Sequence, residues 1–393
     1  MVNKKLKILI VHNYYRGSSP SGEDVVFHNE CELLRKYGHQ VVTYTRSNDE
    51  ISNINALFNL FFSKKTYSDL KTLIAKEKPD LAHFHNIWYA ITPSAYAACK
   101  DMNIPIVQTL HNFRFICANG LLLSKNQICE RCLKKDSVLG FFRACYKNSH
   151  ILSLPIAKTI SEIRKNSYLF SHIDAFICLT NFQKKKYIEA GFPQEKFFIK
   201  PNFIPRDLAA EFCLQSKKRY AVFFGRLSPE KGIHILVRAW ENLNYPLFVI
   251  GSGPLQSYIE EKSSQNTNII YLGRKTRQEI ASLVRDAMLT IVPSICYEIF
   301  PLTVLESYAS CTPTGASKIG GLEEIVIDDV TGFLFPPKDW EKLREKVVFA
   351  FNNPEKLIQY AKNAREIYET TYTPEKNYKM LMEIYESVLR EHK

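Results

Sequence analysis

"YAVFFGRLSPEKGIHILVRAW", residues 220–240, places an apolar strand-like run, a turn rich in cations and a helical stretch in succession. The same rhythm has already run once upstream. "KILIVH" reads as a short buried strand, and after Gly22 the apolar residues Val26, Leu33, Leu34 and Tyr37 recur at the helical period. "GHQVVTYT", "DLAHFHN" and "IPIVQTLHN" follow as strands. A less regular cysteine-bearing region leads to "DAFICLT", a basic helix ending at Gly191, and "KFFIKPNF". At Tyr220 the alternation restarts and continues through "PLFVIGSGP", "NIIYLGR" and "LTIVPS" to "GFLFPP". Strands alternating with helices imply a parallel sheet wrapped on both faces. Two such α/β units in tandem, joined near residues 203–218, fit the restart better than one giant sheet, and the last 40 residues read as helical.

Composition agrees. A chain of 393 residues favours two domains with a cleft between them, and 46% hydrophobic residues supply ample core. No apolar run approaches the roughly 18–20 residues needed to cross a bilayer. The start, "MVNKKLKILIVHNYY", carries only five apolar residues before His12, which reads as a first strand rather than a signal peptide. A cytoplasmic setting follows as the expectation, with the ten cysteines reduced. The formal charge of +12 implies either an anionic partner or simply a well-solvated surface. Nucleic acid is not the expected partner, because "FQKKKYIEAG" reads as one helix face. "VIGSGPLQ" imitates a dinucleotide fingerprint but has Gln256 at its third glycine position, so a dehydrogenase reading is rejected.

Ligands of open parallel sheets sit beyond the carboxyl ends of the strands, so the loops after strands carry the chemistry. Arg226 and Lys231 share one such loop. An arginine fork and a movable lysine charge suit a diphosphate, and a leaving diphosphate needs that stabilisation. In "YEIFPLTVLE", residues 297–306, Pro301 suits a helix start, and the free N–H groups of Leu302 and Thr303 make an anion site. Glu306 lies about 6 Å along the axis from Leu302. Glu298 lies on the far side of the helix start. Carboxylates avoid a diphosphate, so the pair is expected to face hydroxyl groups on either side of it. That is the layout of a nucleotide sugar, with Glu306 at the ribose and Glu298 at the sugar.

"GRLSPEKG", "EIFPLTVLE", "GGLEEIV" and "TGFLFPP", with "SPSGEDVVFHNECELLRKYGHQV" and "TLHN" before them, resemble the family-four retaining glycosyltransferases of GT-B fold. The resemblance spans nearly the whole chain. It implies two Rossmann-like doubly wound parallel-sheet domains facing across a cleft. The N-terminal acceptor-side domain is expected over 1–205 with a cysteine-bearing insert at 117–145, and the nucleotide-sugar domain over 206–372. A helix over 373–393 is expected to cross back to the first domain. By the same resemblance, Arg226 and Lys231 would hold the diphosphate of a UDP- or GDP-type donor. Glu298, Phe300, Leu302 and Thr303 would line its sugar and phosphate, Glu306 would bind ribose, and the backbone near Gly273 and Arg274 would meet the base. Gly22 would let backbone approach the phosphate or the acceptor. His111 would stand beside the anomeric centre as a catalytic residue with Glu298. From their own place at the end of a strand, His85 and Asn86 are expected to line the acceptor side. The implied reaction moves a sugar, with retention, to a hydroxyl of a glycan or lipid-linked acceptor in surface-polysaccharide synthesis. Two departures stand out: Ser21 replaces the first glycine of the usual pair, and Cys311 stands where a glycine commonly precedes "TP".

Other signals admit more than one reading. Cys117, Cys129, Cys132 and Cys145 can close a thiolate site for a structural zinc, form a disulfide or redox pair, or remain buried thiols. No cofactor is expected for catalysis, since the chain lacks an Asp-x-Asp triplet and the cationic loop takes the diphosphate charge. His83 and His85 share one strand face and read as core or cleft residues rather than metal ligands. Leu57, Phe58, Phe61 and Phe62 beside Lys64 and Lys65 suit either peripheral contact with an anionic membrane or a helix packed on the first sheet. The rival functions are a non-catalytic module binding nucleotide sugar or anionic membrane, and a glycoside hydrolase using the two glutamates. The hydrolase is disfavoured because nearby cations depress the pKa that a proton donor needs raised.

Overall fold

Ile8, Leu9, Ile10 and Val11 are all buried, so the first strand is covered on both faces, the condition of a parallel sheet packed between helices. A computed structural model describes residues 4–15, 21–50, 60–165, 171–206 and 217–392. The chain divides into two units: Met1–Ser124 with Cys129–Pro201 and Tyr378–Lys393, and Lys125–Ile128 with Asn202–Asn377.

The first half runs β1 (Lys7–Tyr14), α1 (Gly22–Lys36), β2 (Gln40–Ser47), α2 (Lys64–Glu77), β3 (Leu81–Phe84), α3 (Ser94–Asp101) and β4 (Ile106–Thr109). A hairpin of β5 (Leu123–Ser124) and β6 (Gln127–Ile128) follows, then α4 (Arg131–Lys134), α5 (Leu139–Phe142), α6 (His150–Lys165), β7 (Ala175–Cys178), α7 (Asn181–Glu189) and β8 (Phe197–Ile199). The second half runs β9 (Lys218–Phe224), α8 (Ile233–Trp240), β10 (Leu247–Ile250), α9 (Gln256–Gln265), β11 (Ile269–Gly273), α10 (Arg277–Asp286), β12 (Ala287–Val292) and α11 (Leu302–Ala309). It ends with β13 (Thr314–Ser317), α12 (Leu322–Ile325), β14 (Gly332–Phe335), α13 (Trp340–Asn352), α14 (Pro354–Thr371) and α15 (Pro374–Glu391).

Each half builds a six-stranded sheet, ordered β2-β1-β3-β4-β7-β8 and β11-β10-β9-β12-β13-β14. All their pairings are parallel. In the first sheet the direction of winding reverses between β1 and β3, and in the second between β9 and β12. Loops leaving such neighbouring strands run to opposite faces and leave a crevice at the strand ends.

The cores explain which segments had to be apolar. In the second unit Trp240, fully buried, packs with Val237, Leu247, Val249 and Phe335, and its indole N–H donates to the Tyr245 carbonyl at 2.9 Å. In the first, Leu381, Met382, Ile384, Tyr385 and Val388 of α15 close over Ile8 and Ile10 of β1 and Phe27 and Leu34 of α1. Tyr378 stacks on Tyr37 with centroids 3.6 Å apart and bonds the His39 imidazole at 2.8 Å.

One expectation keeps both its readings and another changes. Of the aromatic and basic stretch, Leu57 and Phe58 lie outside the described residues. Phe61, Phe62, Lys64 and Lys65 are exposed, and α2 turns Leu70 and Ile74 inward. No helix among the described residues is long and apolar enough to cross a membrane. The sequence reading has no strand between Val292 and Gly332, yet "TGAS" forms β13, fully buried between β12 and β14. Its small residues follow from the packing above it: a Cβ at Gly315 would stand 2.5 Å from the Phe333 ring and 3.1 Å from Ile291. Phe333 is itself buried and has nowhere to retreat. Gly315→Ala is therefore expected to destabilise the protein by about 1–3 kcal/mol through overpacking, read as a lower urea midpoint. An unchanged midpoint would show that the ring moves freely.

Candidate active site

Strand β9 ends at Phe224, and Gly225 begins the turn that carries the exposed Arg226. A short 3-10 turn over Pro229–Lys231 then delivers Lys231, and Gly232, at φ 74°, starts α8. Only glycine fits there, because a Cβ would lie 1.8 Å from the Pro293 carbonyl oxygen. That contact brings the loop after β9 against the loop after β12, across the winding reversal. The two loops also share a backbone bond, Ile295 N–H to the Glu230 carbonyl at 2.9 Å.

Lys231 Nζ lies 2.6 Å from Glu298 Oε1, and Ser294 Oγ donates to the same oxygen at 2.6 Å. Burial works against the Lys231 charge, but Glu298, with Cys296 and Glu230 behind it, outweighs burial and raises the ammonium pKa above its ordinary value. The two residues assigned by sequence to diphosphate and sugar are thus joined to each other. The Glu298 backbone is fixed as well: its carbonyl accepts from Gly321 N–H at 2.6 Å. A Cβ on Gly321 would lie 1.9 Å from the Ile299 oxygen.

Pro301 is the N-cap of α11 rather than its first helical residue, with φ −70° and ψ 122°. Leu302 and Thr303 open the helix, and their amides fall among the N–H groups that a helix start leaves without an internal acceptor. Phe300 is buried with its ring 5.6 Å from Tyr372. Glu306 is half-buried one turn on; burial raises its carboxyl pKa while Arg277 pulls it down. Arg277, absent from the sequence reading, opens α10 and has a buried Nη2 without a hydrogen-bond partner. Nothing local in "TRQE" distinguished it from a solvated helix residue. Arg274 is exposed and its Nε donates to Ser252 Oγ at 2.6 Å.

In the first unit, Ser21 explains the missing glycine. It caps α1 in a reciprocal box: Asp24 N–H donates to Ser21 Oγ at 3.3 Å, and Ser21 N–H to Asp24 Oδ2 at 2.6 Å. Asp24 Oδ1 in turn lies 2.7 Å from His12 Nε2 on β1. Gly22 is exposed with open space around its absent Cβ. Asn86 is buried and held in place, its Nδ2 donating to the Asn13 carbonyl at 2.8 Å and its Oδ1 accepting from Trp88 N–H at 3.0 Å, and it lines a small cavity beside His85 and His111. His85 is buried, and its Nδ1 lies 2.9 Å from Nε2 of the half-buried His111. Both line a small cavity with Trp88, Gln108, Asn112 and Arg114.

The four cysteines of the insert form no disulfide. Burial pushes Cys132 up to about 12, with Cys117, Cys145 and Cys129 adding to it, and Cys145 up to about 11. The four are therefore neighbours, and their chemistry fits a tetrathiolate. Their sulfurs stand wider than a closed site: among the described residues, the one set of three potential ligand atoms all within 4.8 Å of one another belongs to Glu30, His83 and His85.

Comparison with known proteins agrees with this architecture. Residues 20–208 match the family model described as Glycosyltransferase Family 4, and residues 207–367 match glycosyl transferases group 1. An uncharacterised glycosyltransferase of Methanocaldococcus jannaschii is 27% identical over 311 residues, 76% of this chain and 81% of that protein. The O-antigen chain mannosyltransferase C of Escherichia coli is 28% identical over 174 residues, 43% of this chain and 47% of that protein. Among solved structures, HepE of Anabaena in complex with UDP and glucose superposes with a TM-score of 0.69 at 18% identity, covering 97% of this chain and 100% of that one.

A carboxylate, Glu23, also escaped the sequence reading. Glu23 accepts from Asn112 Nδ2 at 2.7 Å, and burial, only partly offset by that bond and Arg114, holds its carboxyl at about 7. A carboxyl raised on folding favours the protonated form. Its stabilising contribution is whole below the unfolded value of about 4.5 and is lost as pH rises through about 7. Glu23→Gln is expected to remove that loss, so that the variant gains about 1–3 kcal/mol on the wild type between about pH 5 and 8. Urea melts across that range check it; parallel pH profiles would contradict the burial argument.

Proposed function

We propose that this chain, which belongs to the family-four glycosyltransferases of GT-B fold, moves a sugar with retention from a nucleoside-diphosphate sugar to a hydroxyl of a glycan or lipid-linked acceptor. The observation that carries the reading is the meeting of two strand-end loops at the winding reversal of the second sheet. One brings Arg226 and Lys231, the other Glu298 and the start of α11. The cations and the helix N-terminus take the diphosphate, Glu306 the ribose hydroxyls, and Glu298, held by Lys231 and Ser294, the sugar hydroxyls. Lys231 thereby touches both the charge that develops on the leaving group and the carboxylate that orients the sugar. Phe300 lines the sugar, the backbone near Arg274 meets the base, and Arg277 is added to the donor side. His111 contacts the transferred sugar beside its anomeric carbon, with no metal in the reaction. A cytoplasmic setting in surface-polysaccharide synthesis is part of the same proposal, as is peripheral contact with anionic membrane.

Lys231→Ala is expected to lower kcat/KM by roughly 10²–10³, the cost of losing one oriented donor at a leaving group. Glu306→Ala is expected to weaken donor binding while leaving the anomeric outcome unchanged. A thermal-shift screen with UDP, GDP and their sugars identifies the donor for these assays, and proton NMR of the product reports its configuration. Full activity and donor affinity in both variants would sink the assignment, and an inverted product would remove the retaining mechanism. Transfer is expected to persist in chelator.

Cys117, Cys129, Cys132 and Cys145 are proposed to hold a structural zinc, which would supply a staple for the insert and no chemistry to transfer. Elemental analysis of purified protein is expected to give one zinc per chain, lost in Cys132→Ser. A metal-free protein of unchanged stability would leave the four as thiols.

A further inference from the structure

Behind His111 lies a buried charge cluster that the proposed roles do not use. Glu30, on α1, is fully buried. Its Oε2 lies 2.9 Å from Nζ of Lys200, which is equally inaccessible, and its Oε1 lies 2.9 Å from His83 Nδ1 and 3.2 Å from His85 Nε2. Burial opposes a charge on Glu30, but Lys200, His83 and His85 outweigh it and hold the carboxyl well below its ordinary range. The group is a fixed anion beneath two imidazoles.

Protein groups already engage both nitrogens of His83 and one oxygen of Glu30, while Glu30 Oε1 and His85 Nε2 have no hydrogen-bond partner and meet through charge alone. Lys200 takes one carboxylate oxygen. Tyr385 Oη and Thr109 Oγ1 lie 2.7 Å from the two ring nitrogens of His83. What the cluster leaves open is His85, placed between Glu30 and His111. Its ring lies nearly parallel to that of His111, 14° apart with centroids at 5.1 Å.

We propose that Glu30 acts through His85 to fix the tautomer of His111, so that His111 presents a bare Nδ1 as a hydrogen-bond acceptor for a sugar hydroxyl. The argument is a proton count. Two neutral imidazoles joined nitrogen to nitrogen at 2.9 Å place one proton between them. A carboxylate beside His85 Nε2 draws that ring's proton to Nε2 and leaves Nδ1 without one. His85 Nδ1 then accepts, so His111 Nε2 must donate. His111 Nδ1 is left with its lone pair. Burial keeps both rings neutral, pushing His85 down to about 4 and His111 well below its ordinary value, in each case against the raising pull of Glu30. The other groups facing the pair act on charge rather than on proton position: His12, whose ring is 6.2 Å from that of His85, and Lys200 both oppose protonation of His111. Glu30 and His85 are thus positioning residues, and His111 is the group that meets the ligand. The inference rests on the proposed role of His111 at the transferred sugar, but the tautomer itself does not.

Nitrogen-15 NMR of histidine-labelled full-length protein tests it, with His111→Gln assigning the His111 resonances. In the wild type, His111 is expected to show a protonated Nε2 and an unprotonated Nδ1. A proton on Nδ1 instead would overturn the proposal whatever the activity. Glu30→Gln keeps the shape and removes the charge. It is expected to give His111 shifts averaged between tautomers, with kcat lowered on the order of tenfold and the donor KM little changed. An unaltered His111 tautomer in a folded Glu30→Gln variant would also overturn it. If that variant does not fold, the wild-type spectrum decides alone. Full transfer by His111→Ala would remove the role at the sugar while leaving the tautomer result standing, so the two failures are distinguishable.

Discussion

The bond between Lys231 and Glu298 organises the strand-end loops of the second unit, because each partner is pinned from behind. Lys231 stands on a turn that Gly232 presses against the Pro293 carbonyl, and Glu298 on a loop that Gly321 presses against Ile299. Neither backbone has room to withdraw. The pair is largely shielded, at 31% and 11% side-chain exposure, so its Coulomb attraction is stronger than that of a surface bridge, and removing one partner strands the other. In the proposed reaction this rigidity has a use. A lysine already neutralised by a carboxylate is oriented before the diphosphate arrives, and the carboxylate is oriented before the sugar does.

Both units apply the same device to different chemistry. In each unit buried charges are tolerated because they come in sets with an opposite charge and polar partners. In the second unit the set is Lys231, Glu298 and Ser294; in the first it is Glu30, Lys200, His83 and His85. The capping box of α1 extends the pattern, since Asp24 satisfies both the helix start and His12. Burial opposes the Asp24 charge, yet the His12 bond and the Ser21 cap hold the carboxyl below its usual range.

Most strands, their order along the chain and the charged residues of the two loops that meet in the second unit were legible because each rests on local chemistry. Apolar runs bury, Pro301 marks a helix start, and cations with carboxylates at loop ends stand out against strands. What could not be read depends on contacts distant in sequence. "TGAS" lacks the branched residues of a strand, and its place in the sheet is decided by Phe333 and Ile291 lying over Gly315. Glu30 looked like one more polar residue of an amphipathic helix, although it is fully buried, because its partners come from β3 and from the residue after β8. The hold of Asn13 and Trp88 on the amide of Asn86 is equally remote in sequence or invisible in it, although Asn86 still lines the small cavity beside His85. Cys311, in place of a common glycine, adopts a φ of 54° that a side chain rarely takes, so that site keeps the glycine conformation without the glycine.

The final helix has a consequence for how the chain is made. Leu381, Ile384, Tyr385 and Val388 complete the apolar layer over β1 and α1. A ribosome working from the amino terminus therefore finishes the second sheet before it supplies the last pieces of the first. Until those residues emerge, Ile8, Ile10 and Phe27 lack part of their cover, and the hydroxyl of Tyr385 is missing from His83. The first-made half of the protein is thus the last to close, and part of its apolar layer stays uncovered until that helix has been synthesised.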